Sequence, residues 1–185
     1  MSPLAGRQAA LLRGVNVGPA KRVAMADLRA LVEGLGYADV HTVLNSGNVV
    51  YTARGVPPAA AATRIGEALA AQLGVHALVV ALSAAELTVA VADNPLAAVA
   101  DNPSRLLVAV PADPRALTRL EPLLEQDWAP EALALGARVA YLWCPAGVIA
   151  SRVSEAVGRT LGDAVTSRNW TTMTKLQALA GGGRG

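Results

Sequence analysis

The first half of the chain alternates short apolar runs with two longer stretches in which apolar residues recur at helical spacing. The longer stretches, 24–35 and 59–73, place their apolar residues on one face and predict two amphipathic helices. The runs around them predict four strands, at 8–13, 40–44, 49–53 and 75–82. The resulting order, βαββαβ, is that of the ferredoxin-like fold.

The second half repeats this order of elements without repeating the sequence. Ser83 and Glu86 have the spacing of a capping box and predict a connecting helix that ends near Ala92. Beyond a Pro-rich loop we predict strands at 105–110, 131–135, 138–144 and 164–168, and helices that begin at 113 (fading near Pro122), 151 and 171. The predicted fold is therefore α+β, with two tandem ferredoxin-like subdomains, 1–82 and 105–180, joined by 83–104 and followed by a flexible tail, 181–185.

Composition fits a globular protein whose core consists chiefly of aliphatic side chains. Of the 185 residues, 53% are apolar and 16% are charged, whereas aromatic residues make up 3%. No apolar run reaches the ~18 residues needed for a membrane span, and the N-terminus lacks the pattern of a signal peptide. We expect a cytoplasmic protein without a membrane partner, and the apolar content is compatible with a homodimer.

Few residues are suited to metal or thiol chemistry. The single cysteine, Cys144, lies in an apolar run and is predicted to be a buried, inert thiol. His41 and His76 each lie in a strand-like run without a second ligand nearby, which favours structural roles. We therefore expect no metal and no cofactor. No paired carboxylates and no nucleophile with a neighbouring base are visible, so the sequence leaves open whether the protein is an enzyme.

Charge is distributed unevenly, although the net charge of +2 is too small to predict a nucleic-acid partner. Residues 7–29 carry five cations against one acid, and residues 138–184 carry six cations against two acids. The intervening segment 86–131 carries eight acids against three arginines. This pattern indicates either two basic surfaces or ordinary surface charge.

The densest polar motifs lie in these two basic segments. The first motif is Arg13-Gly14-Val15-Asn16-Val17-Gly18, followed by Lys21 and Arg22 and then by Asn45-Ser46-Gly47-Asn48. The second runs from Thr166 through Arg168, Asn169 and Trp170 to Lys175 and Leu176. Together they resemble the domain of unknown function 1697 family of bacterial proteins, a resemblance that implies two ferredoxin-like subdomains and no assigned reaction. The sequence departs from the family pattern at Pro19, where a second glycine is expected, and at Arg152, where a lysine is expected.

Topology predicts that the two parts of the first motif meet. In a βαββαβ unit the first two strands are parallel, so the loops that follow them lie at one end of the sheet. We call residues 13–22 and 45–48 the rim. Arg13 has a planar set of donors for a phosphate or carboxylate, and the rim adds Asn16, Lys21, Arg22, Asn45, Ser46 and Asn48 as candidate ligand-binding residues. The alternatives are ordinary turn chemistry for the asparagines and an ion pair of Arg13 with Asp27 or Glu33.

The C-terminal motif suggests a second anion site. Arg168 and Asn169 end a predicted strand, and Trp170 precedes a helix with three threonines in its first turn. Ser151 and Arg152 are expected at the same end of the second sheet, and Lys175 completes the candidate set. The alternative is a threonine-capped helix with Trp170 as its hydrophobic staple.

These patterns favour binding of a small anionic or nucleotide-like ligand at the rim. A protein-interaction scaffold, in which the polar motifs are structural, is the alternative. RNA binding across the sheet ranks lower, because RNA-recognition modules of this fold stack bases on aromatic side chains of strands one and three, and Tyr51 is the only aromatic residue there.

Overall fold

The computed structural model describes residues 5–182 of the chain, in two compact units. The first unit runs to Thr88 and includes the residues from Lys175 onward; the second is Val89–Thr174. The first half contains β1 (Arg7–Leu12), α1 (Met25–Gly34), β2 (Ala38–Thr42), β3 (Asn48–Thr52), α2 (Pro58–Leu73), β4 (Val79–Ser83) and α3 (Ala84–Ala92). The second half contains β5 (Leu106–Pro111), α4 (Pro114–Glu125, a 3₁₀ helix), β6 (Ala132–Leu135), β7 (Ala140–Trp143), α5 (Arg152–Leu161), β8 (Val165–Asn169) and α6 (Trp170–Ala180).

The first sheet has the strand order β2-β3-β1-β4 with every neighbouring pair antiparallel. The strands β1 and β2 are therefore parallel and separated by β3, as predicted. In the register, Leu11 faces Asn48 and Arg7 faces Thr52. The end of β1 thus lies beside the start of β3, at the end of the sheet that carries the rim.

The core of the first unit forms between this sheet and the inward faces of α1 and α2. Leu28, Leu31 and Val32 of α1 are buried at helical spacing, and Ile65 and Leu69 of α2 join the same cluster. The ring of Tyr37 stacks on that of Tyr51 with 5.2 Å between the ring centroids. The few aromatic residues of the unit therefore pack in its core.

The second sheet repeats this topology with the order β6-β7-β5-β8, again antiparallel throughout. The α+β prediction with two βαββαβ units is confirmed. Cys144 is fully buried in the core beside Leu142, Val153 and Val157, also as predicted.

The element bounds differ from the predictions at several places. The helix expected to fade near Pro122 continues to Glu125 and is a 3₁₀ helix; proline disrupts an α-helix because it lacks an N–H and its ring meets the carbonyl four residues back. The strand β4 begins at Val79 rather than at residue 75. The finer division into 1–82, 83–104 and 105–180 stays a prediction, and residues 183–185 of the predicted flexible tail lie outside the described residues. Within 5–182, no helix is both long enough and apolar enough to cross a membrane.

Candidate functional site

The two rim loops meet at one end of the first sheet. The backbone N–H of Leu12 donates a 2.8 Å hydrogen bond to the carbonyl oxygen of Gly47. The side-chain amide of Asn16 donates to the carbonyl oxygen of Asn45, also at 2.8 Å. The meeting of the loops that the parallel strands predicted is therefore present, with direct hydrogen bonds between them.

Asn16 organises the loop between β1 and α1. Its φ of 56° lies in the left-handed region, which asparagine tolerates better than most residues. Its side chain both donates to the carbonyl of Val23, at 2.8 Å, and accepts from the N–H of Val23, at 2.9 Å. Its own N–H donates to the carbonyl of Lys21. These bonds close the loop on itself and support a structural role for Asn16.

The polar groups of the turn before β3 also form hydrogen bonds within the protein. Asn48 is fully buried, and its amide donates to the carbonyl of Val43 and to the hydroxyl of Ser46, each at 2.9 Å. Gly47 has a φ of 83°, and a Cβ atom there would lie 2.5 Å from the side chain of Val15. The bonds of Asn48 therefore hold the turn together, and Gly47 allows the turn to approach the loop that contains Val15.

The cations of the rim differ in their surroundings. Arg13 directly follows β1 and is half-buried, and Glu33, one proposed partner, pairs with Arg29 at 2.9 Å. The side chains of Lys21 and Arg22 are exposed and make no hydrogen bond or ion pair with any of residues 5–182. Lys21 also has a left-handed φ of 52°, an unfavourable conformation for a side chain of this kind.

The helix that follows these cations has an open N-terminus. Its N-cap is Ala24, no side chain among residues 5–182 caps the helix, and the first turn carries the exposed carboxylate of Asp27. The first N–H groups of a helix have no partner within the helix and carry the positive end of its dipole. The rim therefore combines two unpaired cations with an uncapped helix start.

In the second unit, a carboxylate of the chain itself lies at the start of α5, the helix that follows the third strand of that unit. Glu131, which precedes β6, accepts from the hydroxyl of Ser151 and from the N–H groups of Arg152 (3.0 Å) and Val153 (3.2 Å) at the start of α5. Its side chain is 9% exposed and lies 3.6 Å from the guanidinium of Arg152. Burial alone raises the pKa of Glu131, but these hydrogen bonds and the charge of Arg152 outweigh it and lower the pKa. Ser151 also accepts from the N–H of Ser154 as the N-cap of α5.

The C-terminal motif is mostly structural. Arg168 is 9% exposed within β8 and donates to the hydroxyl of Thr166 and the carbonyl of Ser167, each at 2.8 Å. Burial lowers the pKa of Arg168 to about 10. Asn169 accepts from the N–H of Thr172, so an asparagine and not a threonine caps α6, which begins at Trp170. Trp170 is half-buried with its ring centroid 6.5 Å from that of Tyr141, and Lys175 is exposed.

Several residues of chemical interest were missed by the sequence analysis. Glu131 was not singled out, because its role depends on a helix start twenty residues further along the chain. Arg54 and Arg64 were missed too, although Arg54 follows the end of β3 and Arg64 lies on the facing helix α2. Burial raises the pKa of the Cys144 thiol, and within residues 5–182 no three His, Cys, Asp or Glu side chains are grouped to hold a metal ion.

The fold defines a tandem ferredoxin-like protein, with two polar loops that meet at one end of its first sheet. The chain belongs to the family described as protein of unknown function (DUF1697), whose model matches residues 6–141. The resemblance inferred from the motifs is thereby confirmed, and the rim lies inside the matched range, whereas the 166–176 motif lies beyond it.

One solved structure extends the comparison to nearly the whole chain. The conserved bacterial protein SP0830 from Streptococcus pneumoniae is similar over 94% of this chain and 98% of its own, with a TM-score of 0.71 and 23% sequence identity. At this identity the similarity shows the shared fold. No curated protein matches the chain. The family and its fold are therefore established, and function has to be argued from the residues of the rim.

Proposed function

We propose that the protein binds a small anionic or nucleotide-like ligand at the rim. The observation that carries this proposal is the pair of exposed, unpartnered cations within residues 5–182, Lys21 and Arg22, held directly before the uncapped start of α1. An anion placed there would receive hydrogen bonds from the first N–H groups of the helix and charge pairing from both side chains.

The hydrogen bonds of Asn16 support the proposal in an indirect way. They fix the segment between β1 and α1 at both ends, so that Lys21 and Arg22 lie on a loop that is already ordered. A pre-ordered loop loses less conformational entropy when a ligand binds than a loose loop does. On this hypothesis the asparagines position the site, and the cations contact the ligand.

A scaffold function is the second candidate, and one observation favours it. Two apolar side chains of the rim region are exposed, Val17 at 74% and Leu44 at 51%. Leu44 also has a left-handed φ of 57°. Exposed apolar side chains beside cations suit a protein partner as well as a small ligand. The RNA hypothesis gains no comparable support, since Tyr51 is fully buried.

Thermal melts with and without anions test the ligand proposal. The double variant Lys21→Gln with Arg22→Gln should melt like the parent in buffer alone, because both side chains are exposed and unpartnered within the described chain. Phosphate, sulfate or a nucleotide at 100 times its dissociation constant should stabilise the parent by about 2.7 kcal/mol and the double variant much less.

Arg29→Gln is the matched control, since Arg29 is an exposed cation on α1 that pairs with Glu33 away from the start of the helix. The control should keep the full response to anions. An equal response in the parent and the double variant would contradict the proposal. If the parent instead shows no response to anions but captures a protein through a surface that Val17→Ser abolishes, the scaffold function is the better account.

A further inference from the structure

A cleft at the other end of the first sheet contains two arginines whose side chains make no hydrogen bond or ion pair with any of residues 5–182. It has a volume of about 310 Å³ and lies where β3 ends and β2 begins, against α2. Its lining includes Leu35, Gly36, Tyr37, Thr52, Arg54 and Arg64. All of these residues belong to the first unit.

The strand register separates this cleft from the rim. Thr52 faces Arg7 at the start of β1 and Ala38 at the start of β2, whereas Asn48 faces Leu11 near the rim. The length of β3 therefore lies between them, about 15 Å at the usual rise per residue. A ligand in the cleft and a ligand at the rim would not share contacts.

The two cations of the cleft have no ion pair within residues 5–182, and a carboxylate that contacts the lining, that of Asp39, accepts from the hydroxyl of Thr52 at 3.3 Å. Arg54 and Arg64 are exposed, and their side chains make no hydrogen bond or ion pair with any described residue. The cleft beside α5 in the second unit, of about 530 Å³, also contains two arginines. There Arg152 pairs with Glu131 at 3.6 Å and Arg159 pairs with Glu155 at 3.1 Å. Of these two clefts, only the one in the first unit has arginine side chains that form no ion pair with a described residue.

The wall of the cleft has a second unusual feature. Tyr37 is 7% exposed, and its buried hydroxyl has no hydrogen-bond partner within residues 5–182. A buried polar group without a partner is uncommon and calls for an explanation such as a bound water or ligand group. Leu35 and Val56, both partly buried, add apolar surface to the same cleft.

We propose that this cleft binds a small organic oxyanion, a phosphate monoester or a carboxylate, through Arg54 and Arg64, with the apolar part of the ligand against Leu35 and Val56. Guanidinium groups suit this class, because their planar donors match both phosphate and carboxylate oxygens. This second site is independent of the proposed function at the rim.

Titration calorimetry with phenyl phosphate, benzoate and inorganic phosphate tests the inference. Phenyl phosphate or benzoate should bind the parent at least tenfold more tightly than inorganic phosphate does, because inorganic phosphate has no apolar part. Stronger binding of phenyl phosphate would identify the ligand as a phosphate ester, and stronger binding of benzoate would identify it as a carboxylate. Failure of both organic anions to bind would overturn the proposal, as would equal affinity for inorganic phosphate.

Paired variants assign the binding to the cleft. The double variant Arg54→Gln with Arg64→Gln should lose at least tenfold in affinity for the organic anion while its melting temperature stays that of the parent. Lys21→Gln with Arg22→Gln, and separately Arg29→Gln, should keep that affinity. Unchanged affinity in the cleft variant, or an equal loss in the rim variant, would overturn the assignment. The cleft substitutions are also made in the background of Lys21→Gln with Arg22→Gln, where binding at the rim is removed, and the tenfold loss should persist there.

Discussion

The starts of α1 and α5 both have backbone N–H groups without a partner inside the helix, but only at α5 does a carboxylate of the described chain accept from them. At α5, the carboxylate of Glu131 accepts from two backbone N–H groups and from Ser151, and Arg152 lies beside it. At α1, no side chain caps the helix, and the preceding Lys21 and Arg22 have no partner among residues 5–182. One helix start is occupied by a carboxylate of the protein itself, and the other has no side-chain cap among the described residues.

If the proposed function is correct, this difference separates a stabilising role at α5 from a binding role at α1. A carboxylate that is part of the chain contributes to folding, because its hydrogen bonds exist only in the native state. An open helix start with unpaired cations contributes little to folding and can instead supply affinity. The two positions should therefore respond differently to substitution, in stability at α5 and in anion binding at α1.

Removal of Glu131 should have the largest effect. Glu131→Ala leaves the hydroxyl of Ser151 and two N–H groups without their acceptor, and should lower the free energy of unfolding by roughly 3 kcal/mol. Glu155→Ala is the control, because Glu155 is an exposed acid in the first turn of α5 itself, and its removal should cost less than about 1 kcal/mol. Urea unfolding curves measure both. Equal, small losses for the two variants would mean that Glu131 does not stabilise the start of α5.

Gly47→Ala should separate the loops of the rim. A Cβ atom at this position would lie 2.5 Å from the side chain of Val15 and 2.9 Å from that of Leu12. Strain and overpacking should together cost roughly 2 kcal/mol. Gly18→Ala has the same positive φ with open space around it, and should cost about 1 kcal/mol. Equal losses of stability for the two variants in thermal melts would contradict the inference that close contacts around Gly47 add to the cost of the substitution.

Acid should remove the contribution of Glu131. Its pKa in the folded protein lies below the usual value, since the hydrogen bonds and Arg152 outweigh the effect of burial. Its contribution to stability is therefore complete above the unfolded pKa, about 4.3, and is lost as the pH falls through the lower folded value. The difference in free energy of unfolding between the parent and Glu131→Gln should shrink below about pH 4. A difference that is constant down to pH 2 would contradict this.

Arg13→Gln distinguishes a ligand contact of Arg13 from a structural ion pair. If Arg13 contacts the ligand, the substitution should cost less than about 0.5 kcal/mol in the free protein and should weaken the stabilisation by phosphate or a nucleotide. Added salt should weaken that stabilisation further, because a charge at the rim is partly screened. A loss of roughly 3–5 kcal/mol in the free protein would instead make Arg13 one partner of a structural ion pair.

Sequence reasoning recovered those features that depend on local pattern and on topology. The helical spacing of Leu28 and Leu31 and the turn at Gly47 are local signals, and the meeting of Asn16 with Asn45 follows from two parallel strands. The acceptor at the start of α5 could not be recovered in this way. Glu131 lies twenty residues before Ser151 in the sequence, and no spacing rule relates a residue before β6 to the helix after β7.

The cleft of Arg54 and Arg64 was missed for a similar reason. Each arginine has an ordinary surface position in the sequence, one after a strand and the other within a helix. Only the packing of α2 against the end of β3 places them at one cleft. The 3₁₀ geometry between Pro114 and Glu125 was likewise outside the reach of apolar spacing, because residues three apart lie on one face at 3.0 as well as at 3.6 residues per turn.

The most direct test of the difference between the two helix starts is a crystal structure of the protein with selenate, a tetrahedral oxyanion that is located by its anomalous scattering. We predict a selenate at the rim, within hydrogen-bonding distance of Lys21 or Arg22 and of the first N–H groups of α1. At α5 we predict none, with the carboxylate of Glu131 still bound to Ser151. An empty rim, or a selenate that displaces Glu131 from α5, would contradict the account.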